Sequence, residues 1–218
     1  TQEMPAQPDK KSRLVHMPGL KQGTLALGHW APPARHPDLP AWRLLEYVLV
    51  GGDFSSRLMT AARSEAGKVY DISSVNLHLR TTSFSCLVTS TQNDEVGHIW
   101  ELLERETAKI LDENITEEEL QKAKSHFAGR ILLELELPAA IAERVLGKLH
   151  EGYTLEEMAE EINELNAVSV EDVQHVAKEW LKGTTSVLAL VGDRRTLKEL
   201  YQEMAASLGG FGEDRHGF

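Results

Sequence analysis

Residues able to do chemistry are thinly spread along this chain of 218 residues. The run His98-Ile99-Trp100-Glu101-Leu102 sets an imidazole and a carboxylate three positions apart, in a stretch with helical periodicity. A helical His-x-x-Glu-His motif would bind zinc through two imidazoles one turn apart and use Glu as general base. Here the fifth residue is Leu102, so half of such a site is present, and the default place for His98 is a partly exposed helix face. His126, His150 and His175 fall on separate predicted helices, and His78 lies on the polar side of a predicted hairpin. His36, before Pro37 at a helix start, has a turn or capping role as its default. No pair has ligand spacing, so no metal site is expected within the chain. No Gly-x-Ser-x-Gly, Walker loop or strand-turn-helix G-x-G-x-x-G is present. Cys86, the single cysteine, excludes a disulfide framework and reads as a small buried hydrophobe.

The segment from Gly51 to Tyr70 is richer. Gly51-Gly52 permits a tight bend before a helix, which Ser55 or Ser56 can cap. Arg57 and Arg63 lie near the two ends of that helix, Gly67 is placed to stop it in a left-handed conformation, and Tyr70 emerges at the start of a strand. Arg63 and Tyr70 can therefore meet across a helix-turn-strand corner. Guanidinium and phenol make a donor pair suited to a carbonyl or a developing oxyanion. The plain alternatives are an ion pair of Arg63 with Glu65 or Asp71, and a half-buried strand position for Tyr70.

The elements that must hold this segment follow from periodicity. Residues 1–12 read as a linker or arm, 13–208 as one domain, and 209–218 as a flexible tail. Strand-like patterning runs from Arg13 to Trp30, broken by the turn signal Pro18-Gly19. Helices are expected from His36-Pro37-Asp38 to about Leu49 and from about Ser55 to Glu65. Residues 69–91 read as a hairpin with Val75, Leu77, Leu79, Phe84, Cys86 and Val88 on the apolar face, taken as the face toward the core. Helices follow from Asn93 or Asp94 to about Leu111 and from Thr116, with Pro138 ending or kinking the latter. Thr116 with Glu119 and Thr154 with Glu157 form capping boxes, and Ser169 with Asp172 starts a further helix. Thr185–Val191 reads as a buried strand before a last helix at 196–208. The order predicts an α+β domain, an antiparallel sheet covered on one face by helices.

The charge balance narrows the partners. With 23 Lys and Arg against 34 Asp and Glu, the net charge is −11, which argues against nucleic acid. No apolar run is long enough for a membrane-spanning helix. The chain opens on Thr1 with the polar stretch TQEMPAQPDKKSR and no signal core, which reads as a fragment or processed product.

Taken together, the segment 51–70 resembles the Gly-Gly…Ser-Arg-Leu…Arg…Gly-x-x-Tyr signature of the pitrilysin/insulinase-type zinc peptidases, which include the mitochondrial processing peptidases. The likeness extends to Gln22–Gly28, His36-Pro37-Asp38, Thr116–Leu120 and Val187–Gly192, and covers roughly residues 13–208. Such peptidases form a clamshell of two homologous halves. One half carries a His-x-x-Glu-His zinc site with a more distant Glu as third protein ligand. That motif occurs nowhere in this chain, which therefore resembles the other half. The resemblance implies that Arg63 and Tyr70 reach the substrate carbonyl and its oxyanion, with Gly51 and Gly52 as substrate-binding positions. It implies no cofactor in this domain and zinc in a homologous partner half, fused or separate, acting on an extended peptide. Lys68 departs from the apolar residue usual before that Tyr. A second reading stays open: a structural or peptide-binding subunit that kept the fold. The compartment is periplasm or cytoplasm, and the resemblance leans toward periplasm.

Overall fold

The computed structural model describes residues 11–52, 55–65, 72–181 and 187–207. Strands β1 (Lys11–His16) and β2 (Gln22–Trp30) lead into helix α1 (Leu39–Glu46), which continues as a π-helical turn, Tyr47–Gly51. Helix α2 (Arg57–Glu65) precedes the hairpin of β3 (Ile72–His78) and β4 (Ser83–Gln92). Then come α3 (Val96–Asp112), α4 (Glu117–Glu134), α5 (Pro138–Glu151), α6 (Leu155–Ala167) and α7 (Val170–Trp180). Strand β5 (Val187–Gly192) and α8 (Arg194–Ser207) complete the described chain. The two capping boxes expected at Thr116 and Thr154 form, and the helix start expected at Ser169 proves to be a third. Pro138 sits in the first turn of α5, where its missing N–H costs nothing.

The strands form one sheet in the order β1-β5-β2-β4-β3. All pairs are antiparallel except β1 with β5, so the sheet is mixed at one edge. This departs from the expected antiparallel sheet because the partner of β1 lies far downstream in sequence. Strand β1 begins at Lys11, inside the stretch expected as a linker.

Helices cover one face only. On β2, β4 and β5 the covered positions are Leu25, Leu87, Leu188 and Leu190, all buried. Helix α1 lies against α4, α6 and α7. Its Trp42, Leu44 and Leu45 are buried, as are Val48 and Leu49 in the π-helical turn. A helix apolar nearly all round belongs at the centre of a domain, and this one fills that place. At the far end, a Cβ on Gly192 would come within 2.3 Å of Leu197 in α8, which explains glycine where the strand meets that helix.

The hairpin is turned over relative to the sequence expectation. The covered side carries Ile72 with Ser83, Ser85, Thr89 and Thr91, all buried. Val75, Leu77 and Phe84 project from the open face and are between 38% and 54% exposed, alongside Val15 and Val187 from the other edge. Alternation correctly marks two faces, but alternation alone does not say which one the helices cover. Cys86 sits on the open face and is half-buried, not a core residue, and partial burial pushes its thiol upward.

A pair of substitutions tests this assignment. Leu25→Ala on the covered face should cost about 2–5 kcal/mol. Val75→Ser on the open face should stay within about 0.5 kcal/mol. Urea unfolding of both variants checks it, and equal losses would mean that the open face is buried in the isolated chain.

Candidate functional site

The π-helical turn Tyr47–Gly51 delivers the chain to Gly52. Gly52 has φ −78°, a value open to any residue, so glycine is not required there for conformational freedom. Space is the reason: a Cβ would stand 3.0 Å from the Tyr47 carbonyl oxygen and 3.3 Å from Ser55 Oγ. The Gly52 carbonyl accepts from the Ser55 hydroxyl at 2.7 Å. Ser56 caps α2, its Oγ accepting from the Met59 amide at 3.4 Å. Gly51 is exposed beside this bend.

Helix α2 buries Leu58, Met59 and Ala62 and turns Arg63, in its last turn, to the exposed side. Its first residue, Arg57, makes a two-pronged bond to Glu119 at 2.7 and 2.8 Å. That carboxylate also accepts from the Thr116 amide at 2.8 Å, so the cap of α4 and the anchor of α2 share one residue. The hydrogen bond from Arg57 holds the Glu119 carboxyl below its usual range. The corner expected between Arg63 and Tyr70 involves residues on both sides of the described chain: Arg63 is placed, whereas Gly67, Lys68 and Tyr70 lie outside the described residues.

A second group of polar residues gathers beneath the hairpin, and sequence reasoning missed it. Glu46, the last residue of α1, is half-buried, with its carboxyl turned in against the covered face of the sheet. Burial pushes its carboxyl up to about 7, against the opposing pull of the Ser85 hydroxyl and Arg43. Ser85 Oγ contacts both Glu46 Oε1 and, at 2.6 Å, Asn76 Oδ1. One hydroxyl carries one proton and cannot donate to two acceptor oxygens. A protonated Glu46 resolves this: its O–H donates to Ser85, and Ser85 donates to Asn76. This arrangement holds below about pH 7, where Glu46 carries its proton; above it, the Asn76 amide turned to present Nδ2 would donate to Ser85 and leave the Ser85 proton for the Glu46 carboxylate. The signal in the sequence was the polar alternation Asn76, His78, Ser85, Thr89, read as solvent-facing.

Next to Glu46 opens a cavity of about 680 Å³, bounded by β3, the π-helical turn, α4 and α5. Tyr47 and His126 stack in its wall with ring centroids 4.4 Å apart. At one end Arg43 and Arg144 bond to Glu161, and Lys148 lies 3.5 Å from it. Burial pushes the Glu161 carboxyl up, yet Arg43, Lys148 and Arg144 together hold it below its usual range.

The histidines do not assemble a metal centre. His98 and Glu101 share α3, but among the described residues no group of three or more His, Cys, Asp or Glu could hold an ion. His98 Nε2 is buried without a hydrogen-bond partner, more enclosed than expected. His36 has the turn role expected of it, its Nδ1 accepting from the Asp38 amide at 3.2 Å. These residues do not fit a zinc ion.

Comparison with known proteins matches this architecture. A family model described as the peptidase M16 inactive domain covers residues 1–127. An uncharacterised zinc protease of Bacillus subtilis, YmxG, is 28% identical over 173 residues, which is 77% of this chain and 41% of that protein. The crystal structure of a peptidase M16 inactive domain from Pseudomonas fluorescens superposes with a TM-score of 0.79 at 22% identity, covering 88% of this chain and 45% of that one. A protease from Helicobacter pylori gives the same TM-score and identity, covering 88% and 46%. The chain thus spans less than half the length of these relatives. The resemblance read from the sequence is borne out at the level of family and fold.

The inward-turned carboxyl of Glu46 predicts a pH dependence of stability. Its folded value, about 7, lies above the ordinary 4.5, so the native state binds the proton more tightly than the unfolded chain. Its contribution is fully present below about pH 4.5 and is lost as pH rises through about 7, amounting to about 3 kcal/mol at most. Glu46→Gln, which still donates to Ser85, should flatten the stability profile across that window. Denaturant titrations at several pH values test this, and an unchanged slope in the variant would refute it.

Proposed function

The chain belongs to the peptidase M16 inactive-domain family, and on that premise we propose that it is the substrate-clamping half of a two-half zinc peptidase. In this reading a homologous zinc-bearing half, fused or separate, closes on it around an extended peptide. The observation that carries the reading is the open sheet face. Val15, Val75, Leu77, Phe84 and Val187 are exposed there, and an apolar face of this kind marks a partner surface. Membership of a family named for an inactive domain supports placing the zinc in the other half.

Arg63 and Tyr70 are the residues proposed to act on the peptide. Arg63 points outward from the last turn of α2, a helix made rigid by Arg57 and Glu119. A guanidinium donates in a fixed fork and a phenol donates one hydrogen bond. Aimed at a scissile carbonyl, both bonds strengthen as charge builds on its oxygen, which lowers the barrier without tightening ground-state binding. Gly51 lies exposed at the bend leading into the same helix, where absence of a side chain lets a peptide backbone approach, and the buried Gly52 lets the bend fold tightly behind it.

The test is reconstitution with a zinc-bearing half. Tyr70→Phe should lower kcat roughly 100-fold or more with a smaller change in KM, and Arg63→Ala should act in the same direction. Replacing Val75 and Leu77 by Asp should abolish association of the halves. Association with hydrolysis indifferent to Tyr70 and Arg63 would instead support the structural-subunit reading.

A further inference from the structure

The cavity beneath the hairpin is cationic at one end. Three cations converge on a single carboxylate there: Arg43 and Arg144 bond to Glu161, and Lys148 lies 3.5 Å from it. Arg144 also donates to Glu134 at 2.7 Å, and Arg130 donates to the same carboxylate at 3.0 Å. The side chains of Arg144, Lys148 and Glu161 are between 9% and 16% exposed, so this charge is held largely away from water. Four cations thus line the cavity against the carboxylates of Glu134 and Glu161. Below about pH 7 Glu46 keeps its proton and adds no third negative charge. Burial disfavours a charge on His78, whose Nδ1–H donates to the Pro32 carbonyl at 3.1 Å. Glu151 meets Lys148 at 3.3 Å from outside the cavity wall, and the cations still outnumber the carboxylates.

These cations also have donors left over. A guanidinium carries five N–H groups. Among the described residues, Arg43 gives one to Glu161 and Arg130 gives one to Glu134. Lys148 approaches its two carboxylates no closer than 3.3 Å. The rest of the wall is flat and apolar. Tyr47 and His126 stack with centroids 4.4 Å apart, Phe127 stands edge-on to both, and Val50, Met59 and Ile131 continue the surface. We propose that this cavity is a binding site for a small aromatic dicarboxylate, one carboxylate held by Arg43 and Lys148, the other by Arg130, with the ring against Tyr47 and His126.

Carboxylates are the anions this cluster already holds, since the same cations bond Glu134 and Glu161. Charge-assisted bonds from arginine forks are strong, and enclosure strengthens them further. A surplus of like charge in a partly enclosed space is relieved by an anion and worsened by a cation. The two nodes, around Glu161 and around Glu134, call for an anionic group at each. A flat ring between them gains contact with the Tyr47 and His126 pair that a headgroup alone lacks. The volume, about 680 Å³, lies within the range of roughly 300–1,000 Å³ common to small-molecule sites. A ligand in this place touches β3, the end of α1, α4 and α5 together, so it ties the hairpin to the helices and stabilises the folded chain by mass action.

This site is independent of the clamping role, and its test uses the 218-residue chain alone at pH 6, where Glu46 is protonated. Three probes share one ring: isophthalate carries two carboxylates, benzoate one, and isophthalamide none. Titration calorimetry should show one isophthalate bound per chain with a Kd of roughly 1 mM or tighter. Benzoate and isophthalamide should each bind at least roughly tenfold more weakly. In NMR spectra isophthalate should shift the ring protons of Tyr47 and His126 and the amides of Ser74 and Asn76, which line the cavity, and leave Val187 on the open face unmoved. Lys148→Gln removes the cation with the loosest contacts and leaves Arg43 and Arg144 on Glu161. It should keep the fold by circular dichroism and weaken isophthalate roughly tenfold. The comparison of probes uses the unmodified protein and needs no variant to fold. No isophthalate binding at about 10 mM, equal binding of isophthalamide, shifts confined to residues outside the cavity, or a folded Lys148→Gln chain with unchanged affinity would each overturn the proposal.

Discussion

A sheet has two faces, and this chain folds its helices over only one of them. The rest of the architecture answers to that constraint. Helix α1 can be apolar nearly all round because it lies between the sheet and α4, α6 and α7. The other face keeps Val75, Leu77, Phe84, Val15 and Val187 in the open. An isolated chain carries that surface at a cost in solubility, and the proposed partner half would remove it from water. The binding free energy available from such a face is hydrophobic and non-directional, so precise orientation of α2 must come from elsewhere. Arg57 and Glu119 are placed to supply it, since a two-pronged ion pair ties α2 to the capped start of α4.

Local rules carried most of the fold. The capping boxes at Thr116 and Thr154, the helix start at Ser169, the strand Val187–Gly192 and the helix after Gly51-Gly52 were legible because each depends on residues within one or two turns of each other. What escaped was set by distant partners. The parallel pairing of β1 with β5 joins residues such as Leu14 and Leu190, and no local pattern announces it. The orientation of the hairpin escaped for a different reason. Ser85 and Asn76 look like solvent-facing residues until Glu46 is brought beneath them, and Glu46 looks like an ordinary surface carboxylate on a helix until Trp42, Leu44 and Leu45 are buried beside it.

The candidate site divides in the same way. Arg63, Gly51 and Gly52 were proposed from spacing and from the resemblance, and the structure places them at either end of the short stretch that leads through α2. The role of Gly52 changed: it is small because Tyr47 and Ser55 crowd it, not because the bend needs an unusual φ. The cavity under β3 was invisible beforehand, since its wall draws on α1, β3, α4, α5 and α6, and only tertiary structure collects Arg43, Arg144, Lys148 and Glu161 in one place.

The position of β5 has a consequence for synthesis. In the order β1-β5-β2, β1 has no neighbour among the described strands until β5, made far later, is inserted beside it. A ribosome at an elongation rate of about 5–20 residues per second would leave β1 waiting roughly ten seconds or more for that partner. During that interval β2 also shows a free edge where β5 will lie. Among the described strands, the ladder that joins β1 to β2 can therefore close only once β5 has been made.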